Sequence, residues 1–557
     1  MPTRKIVTMG KLQPTAGRTG GDPSRAKADE APVGTDEAVG RSATMMSGLV
    51  IVSRITGFFR SWSQAFALGT TITASCYTIA NNLPNQLYEL VMGGMLATAF
   101  LPVYMSVKKR AGRAGSSAYA SNLLSIVTLL MGALAVLSFI FAAQVIWTQS
   151  FSATDEFDTD LSIYFFRFFA IEIVLYALSS VISGVLNAER DYLWSTAAPI
   201  LNNFVVTASF FAYGALVGAN ERLALLCLAI GNPLGVAIQV LAQVPSLRKH
   251  GIRLTLHIDL RDPLLRETLS IGAPTLIVTL ESFITVSVMN SSALSVTANG
   301  ASIIYYARLW YVLPYSVFSI PITTAMFTEL SDSIAHGDME AYRHGISSGV
   351  SKIAFMLIPF SMYLIVFAPQ LVTILGSSSF SAQDTQLTIM YLRFLSLALP
   401  FYGVNTFLQK ACSSIRHMGP FAAANVIAGV VQVVFCLTLT PVIGLPAVAL
   451  CSGLFFLLVN IMTLASLRAT LGHIGLRSIV APILRALALG LAGALVGDLI
   501  LRLLAAFIGS SSSTLMAILY CVAGGVPALI VTFGIAVALK LPEASFATSL
   551  VRRFTRR

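Results

Sequence analysis

The sequence predicts an all-α polytopic membrane protein with fourteen transmembrane helices, arranged as two six-helix lobes plus two additional C-terminal helices. Three observations predict it. The first is composition. Of 557 residues, 56% are hydrophobic and only 11% charged, against about 25% charged in a soluble globular protein. The second is a series of continuous apolar runs, each long enough for the roughly 20 residues of a spanning helix. Their continuity, in place of alternation, argues against a transmembrane barrel. The third is the placement of charge between the runs. The net charge of +11 gathers in alternate loops, as membrane topology requires, and does not describe a nucleic-acid surface.

The first 41 residues are rich in Gly, Pro, Ala, Thr and both charges and hold no apolar run. They read as a disordered cytoplasmic tail without the apolar stretch of a cleavable signal. Fourteen spans come next, near 42–67, 73–106, 120–148, 161–187, 193–218, 222–245, 267–291, 299–329, 345–375, 384–410, 418–441, 444–467, 479–506 and 514–540. With the N-terminus in the cytoplasm, the second, sixth and twelfth loops lie inside. They carry Lys108, Lys109, Arg110 and Arg113; then Arg248, Lys249, Arg253, Arg261 and Arg266; then Arg468 and Arg477. The third loop lies outside and is acidic, with Asp155, Glu156, Asp158 and Asp160. An even number of spans returns the basic 542–557 tail to the cytoplasm, in line with the positive-inside rule.

An internal repeat divides the spans. Arg167, Phe168, Tyr176 and Arg190 of span four match Arg393, Phe394, Tyr402 and Arg416 of span ten at one constant offset. Leu83-Pro84 pairs with Leu313-Pro314 at nearly the same offset. The expected domains are therefore an N-terminal six-helix lobe at 42–247, a cytoplasmic linker at 248–266 and a C-terminal six-helix lobe at 267–470. Two extra helices complete the chain within 471–541. Lobes of six spans insert in the same direction, and two such bundles suggest alternating access by rocking.

Charges inside apolar runs are costly and face a protein interior or a wet space. Arg54 lies about twelve residues into span one, roughly 18 Å along it and near mid-bilayer. Arg60 comes about 120° further round an ideal helix, and Gly57 between them offers a bend. Arginine stays charged and presents a planar fork to phosphate oxygens. Arg54, Arg60 and Arg308 are accordingly the candidate phosphate or pyrophosphate clamp. The alternative is that Arg60 snorkels and Arg54 pairs with Glu89. Glu172 and Glu281 are acids within spans, open to ion pairing or to a coupling role. Pro84, Asn85 and their asparagine neighbours should break span two, and Gly93 and Gly94 allow bending or close approach.

No catalytic constellation, phosphate-cradling loop or metal-ligand spacing occurs, so no enzyme activity, cofactor or metal is expected. The six cysteines lie in apolar runs and the six histidines in loops or at their edges.

SRITGFFR at 53–60, ANNLPNQLYELVMGG at 80–94 and AFLPVY at 99–104 resemble the MurJ (MviN) family of lipid II flippases, within the MOP exporter superfamily. The six-plus-six-plus-two plan agrees, over about residues 42–540. The resemblance implies a carrier of the bacterial inner membrane, both termini cytoplasmic, moving lipid-linked peptidoglycan precursor to the outer leaflet for cell-wall synthesis. It implies that Arg54 and Arg60 are the family's first-helix arginines and that Arg308 is its helix-eight arginine. The extra helices would form a groove for the lipid tail. The chain departs from the family at Ser75, where many members have Asp, and at Tyr88, where many have Arg. Members that bind sodium use acids on helices seven and eleven; here only Glu281 is available, so sodium coupling is not expected.

The expected partners are lipid II and membrane lipid, with no nucleic acid. The alternatives are a flippase of another polyprenyl-linked glycan, an ion-coupled drug exporter, a membrane glycosyltransferase, and a scaffold for cell-wall synthesis proteins docking through the N-terminal tail. Paired arginines argue against the exporter, and short outside loops against the glycosyltransferase.

Overall fold

In the computed structural model, the described residues are 36–93, 100–252, 255, 257–259, 261–376, 379–509 and 513–544. Nineteen α-helices account for most of them, and no strand occurs among them. In order they are α1 Asp36–Leu68, α2 Ile72–Tyr88, α3 Leu101–Ile140, α4 Ala142–Ser150, α5 Thr159–Phe169, α6 Glu172–Ala188 and α7 Tyr192–Leu216. Then come α8 Glu221–Lys249, α9 Pro263–Val296, α10 Gly300–Pro314, α11 Ile320–Ala335, α12 Met339–Val366 and α13 Ala368–Gly376. The last are α14 Ala382–Ser396, α15 Leu399–Ser414, α16 Met418–Ile443, α17 Leu445–Leu471, α18 Leu476–Ile508 and α19 Thr514–Ala538. The chain divides into two units, Met1–Gly48 and Leu49–Arg557. The apolar core and the intramembrane charges all belong to the second. The predicted N-terminal tail falls outside the described residues as far as residue 35, and helix begins at Asp36, ahead of the expected boundary.

Many helix starts are written locally. Thr71, Asn220, Asp338, Ser381 and Ser513 each turn a side-chain oxygen onto a backbone N–H of the first turn, satisfying a donor that the helix leaves orphaned.

Eleven helices among the described residues are long and apolar enough to cross a membrane, or twelve if the bent pair α14 and α15 (47°) is one span. The sequence led to fourteen. The two outside this number are the first two. Helix α1 carries Arg54, Arg60 and a run of Ser and Gln, and α2 has only 17 residues before its geometry changes. Pro84 does not break α2. The helix continues to Tyr88 and widens only at Glu89–Gly93, a π-turn. A second π-turn, Tyr315–Ser319, comes after Pro314 at the end of α10. A proline removes one rung of the helical ladder, and a widened turn is a known accommodation inside helices. Gly94 lies outside the described residues.

The apolar core falls into three principal clusters. One gathers Tyr77, Phe165, Phe169 and Phe210; a second Phe100, Tyr104, Val181 and Leu247; the largest Tyr342, Phe355, Phe407 and Val459. The repeat read from sequence has a backbone counterpart. Arg190 and Arg416, matched at the constant offset, both take positive φ, 61° and 56°, just beyond α6 and α15. In each case the next N–H bonds back five residues, Asp191 to Leu186 and His417 to Cys412. This is a left-handed helix stop; Lys540, with φ 53° after α19, makes the same stop, Leu541 bonding back to Ala536.

The segment after α8 is docked onto α3. Asn122 Nδ2 donates to the Asp259 carbonyl at 3.0 Å and to Asp262 at 3.1 Å, and its Oδ1 accepts from the Asp259 N–H. At the other end of the chain, α18 lies against α12 through small residues. A Cβ on Gly490 would sit 3.0 Å from Pro359 and Met362, and one on Gly497 3.0 Å from Phe367. Gly493 faces Thr532, Ala528 and the Tyr363 hydroxyl, which itself bonds to the Ala528 carbonyl and Thr532.

Candidate functional site

Helix α1 meets different neighbours on its different faces. Ser53, Thr56 and Gly57 face α7, where Asn203 Nδ2 reaches Thr56 Oγ1 at 3.0 Å. The helix runs unbroken through Gly57, so the offered bend is not used. Phe58 meets Trp310 of α10 edge-on at 5.4 Å, and Ser61 shares a 2.9 Å hydrogen bond with Tyr305. Gln64 donates to Thr78 of α2 at 3.1 Å.

The two α1 arginines obey this division. Arg54 is one turn before Phe58 and shares its face. It is exposed and acts electrostatically on Tyr402 of α15. Arg308 of α10, also exposed, acts on the same Tyr402 and on Tyr311 and Tyr391. Arg60 is half-buried and lies within electrostatic range of Glu172, Tyr176 and Tyr77. None of the three arginines forms an ion pair among the described residues. Arg54 does not pair with Glu89; Glu89 accepts from Asn85 at 2.9 Å.

Beside Arg54 and Arg308 stands an aromatic stack that the sequence reading did not single out. Tyr402 meets Tyr315 at 4.3 Å, Tyr311 at 5.7 Å and Phe456 at 5.0 Å. The signal was present in YYARLWYVLPYS, where Tyr311 and Tyr315 recur at helical spacing after Arg308. Phenol hydroxyls donate to anionic oxygens as arginine does, so the group suits an anion.

Glu172 is fully buried and held by Asn232 of α8. Glu281 lies elsewhere, on α9 against Gly429 of α16, with Oε1 unpartnered. Arg54 and Arg308 thus share Tyr402 within electrostatic range, Arg60 lies within range of Glu172, and Glu281 and Glu89 have other neighbours.

One end of this region is stitched shut. The turn after α1 bonds to the second half through Thr70 to Asp384 (3.2 Å) and Tyr306 to the Gly69 carbonyl (2.8 Å). Ser379 to the Phe66 carbonyl (2.8 Å), Trp62 to the Ile374 carbonyl (3.3 Å) and the Ser302 N–H to Ser75 (3.1 Å) complete the seam.

The fold is shared with solved membrane transporters, among them one of the MOP superfamily. It matches a solved structure of "Lipid II flippase MurJ, inward closed conformation" with a TM-score of 0.71 at 19% identity, over 89% of this chain and 99% of that one. An inward-facing multidrug resistance MATE family transporter of the same superfamily matches at TM-score 0.64 and 15% identity, over 76% and 94%. The family described as "Lipid II flippase MurJ" matches residues 64–521, and the chain belongs to that family. A probable lipid II flippase MurJ of Borreliella burgdorferi is 23% identical over 412 residues, 73% of this chain and 79% of that protein. The lipid II flippase MurJ of Burkholderia cenocepacia is 24% identical over 374 residues, 65% and 70% respectively.

Proposed function

We propose that the chain moves lipid II from the cytoplasmic to the outer leaflet of the bacterial inner membrane by alternating access. The observation that carries this is that Arg54 and Arg308, from two distant parts of the chain, both lie within electrostatic range of Tyr402, and neither forms an ion pair among the described residues. A fixed, unpaired positive charge at that depth has value only if something negative arrives. The diphosphate of lipid II supplies two adjacent phosphates for Arg54 and Arg308, with Arg60 as a third contact.

In this reading the N-terminal lobe, 42–247, and the C-terminal lobe, 267–470, rock about the arginines. Both termini are cytoplasmic, which puts the stitched seam at Thr70 and Asp384 on the outer side and leaves the headgroup to enter from within. The prenyl tail stays in lipid along α18 and α19. Support for two lobes comes from the helix stops at Arg190 and Arg416 falling at the constant offset of the sequence repeat. Membrane potential biases the cycle, because charge crossing the field is worth about 2.3 kcal/mol per 100 mV.

The test is a leaflet-specific assay of lipid II in cells depleted of the native protein and supplied with Arg54→Ala. Protein should reach the membrane at normal levels while lipid II accumulates inside. Normal flipping by that variant refutes the clamp.

A further inference from the structure

Glu172 opens α6 with no accessible surface and no cation within ion-pair distance among the described residues. Both its carboxylate oxygens face one nitrogen, Asn232 Nδ2 of α8, each at 3.0 Å. That nitrogen also donates to Asn81 Oδ1 of α2, so two N–H groups serve three acceptors. Tyr176, one turn further along α6, has its phenol close enough to the acid to interact with it. Tyr77 of α2 lies within electrostatic range, and its hydroxyl is buried with no hydrogen-bond partner. Among the described residues, the cation within electrostatic range of Glu172 is Arg60 of α1.

This is an under-neutralised site. A buried carboxylate is tolerated when a cation or a proton removes its charge. Arg60 does so only in part, from beyond ion-pair distance. We propose that Glu172, Asn232, Asn81, Tyr176 and Tyr77 form a proton-binding site whose occupancy is linked to anion binding at Arg60. This rests on the diphosphate reading above and deepens it. When a diphosphate covers Arg60, its positive field no longer supports the carboxylate. Glu172 then takes one proton from water, and the new O–H becomes a donor in a cluster that has acceptors to spare. When the anion leaves, the proton returns to water. No other bond changes. Linkage is reciprocal, so the proton must strengthen anion binding as the anion strengthens proton binding.

The experiment is calorimetric titration of the full-length protein in detergent with a short-prenyl lipid II analogue. It is run in two buffers of different ionisation enthalpy, with choline replacing sodium. The parent protein should take up a proton, up to one per ligand bound, and bind up to tenfold tighter per unit fall in pH. Glu172→Gln should bind the analogue with no proton uptake. The parent arm decides without any variant if Glu172→Gln does not fold. Binding by the parent with no proton exchange overturns the inference and leaves the diphosphate reading standing, as does exchange that persists in Glu172→Gln. Exchange that requires sodium overturns it in favour of a metal cation. No binding by the parent overturns the diphosphate reading itself, and the linkage with it.

Discussion

Thr70 donates a hydrogen bond to Asp384 at 3.2 Å, tying the turn between α1 and α2 to the first turn of α14. Asp384 is buried, and it also accepts from Asn299 and Ser381. One carboxylate therefore satisfies donors from three separate parts of the chain. Asp384→Ala should orphan all three, at about 1–3 kcal/mol for each group left unsatisfied. The variant should unfold at lower temperature than the parent. Ser61→Cys, in an otherwise cysteine-free chain, should label faster with an impermeant thiol reagent once Asp384 is replaced. Equal labelling in the two backgrounds would show that this seam does not govern access.

Arg190 and Arg416 hold a backbone conformation that side chains with a Cβ resist, by roughly 1–2 kcal/mol. Glycine should be accepted at either position with little change in melting temperature. Valine, branched at Cβ, should cost about 1–2 kcal/mol relative to glycine. Thermal melts of the four single variants would check this, and a valine variant as stable as the glycine one counts against the helix-stop role.

Gly493 faces Thr532, Ala528 and Tyr363, with the Ala528 carbonyl and the Tyr363 hydroxyl 2.7 Å from where a Cβ would lie. Gly493→Val should force α18 away from its neighbours at a cost of about 1–3 kcal/mol. Gly525, with nothing within 4 Å of its Cβ position, is the control: Gly525→Val should leave the melting temperature near that of the parent.

Between α6 and α7, burial alone would push the Asp191 carboxyl up. Hydrogen bonds from Ser246 and His250 outweigh it and hold Asp191 below the usual carboxylate range. A carboxyl depressed by folding adds stability above its unfolded pKa and loses it as pH falls through the folded one. Asp191→Asn should therefore melt below the parent at neutral pH. The gap should close under acid conditions below about pH 4, the range of an ordinary Asp. A gap that is constant from pH 7 to pH 3 would rule out the charge as its source.

The membrane class and the helical spans were legible because both depend on apolar run length, a local property. Arg54, Arg60 and Arg308 stood out for the same reason, as charges against an apolar background. What could not be read was their grouping. Helical periodicity puts Arg54 and Arg60 on different faces, but only the packing of α1 between α7 and α10 shows which neighbour each face meets. Tyr402 stood out in sequence only as a repeat match and Tyr77 not at all; both acquire meaning from what surrounds them. Pro84 misled as to where α2 changes geometry, because the helix absorbs a missing N–H and yields a turn later. Asp384 escaped notice because its partners come from residues far away in the chain.

The glycine face of α18 has a consequence for motion. Contact through Gly490, Gly493 and Gly497 with Pro359, Tyr363 and Phe367 leaves no room for the terminal helix pair to slide past α12. The pair must travel as a passenger of whichever body α12 belongs to. On the proposed alternating-access cycle, a hydrocarbon chain resting on it would be carried by the swing of that body, and headgroup and tail would be handled by different parts of the chain.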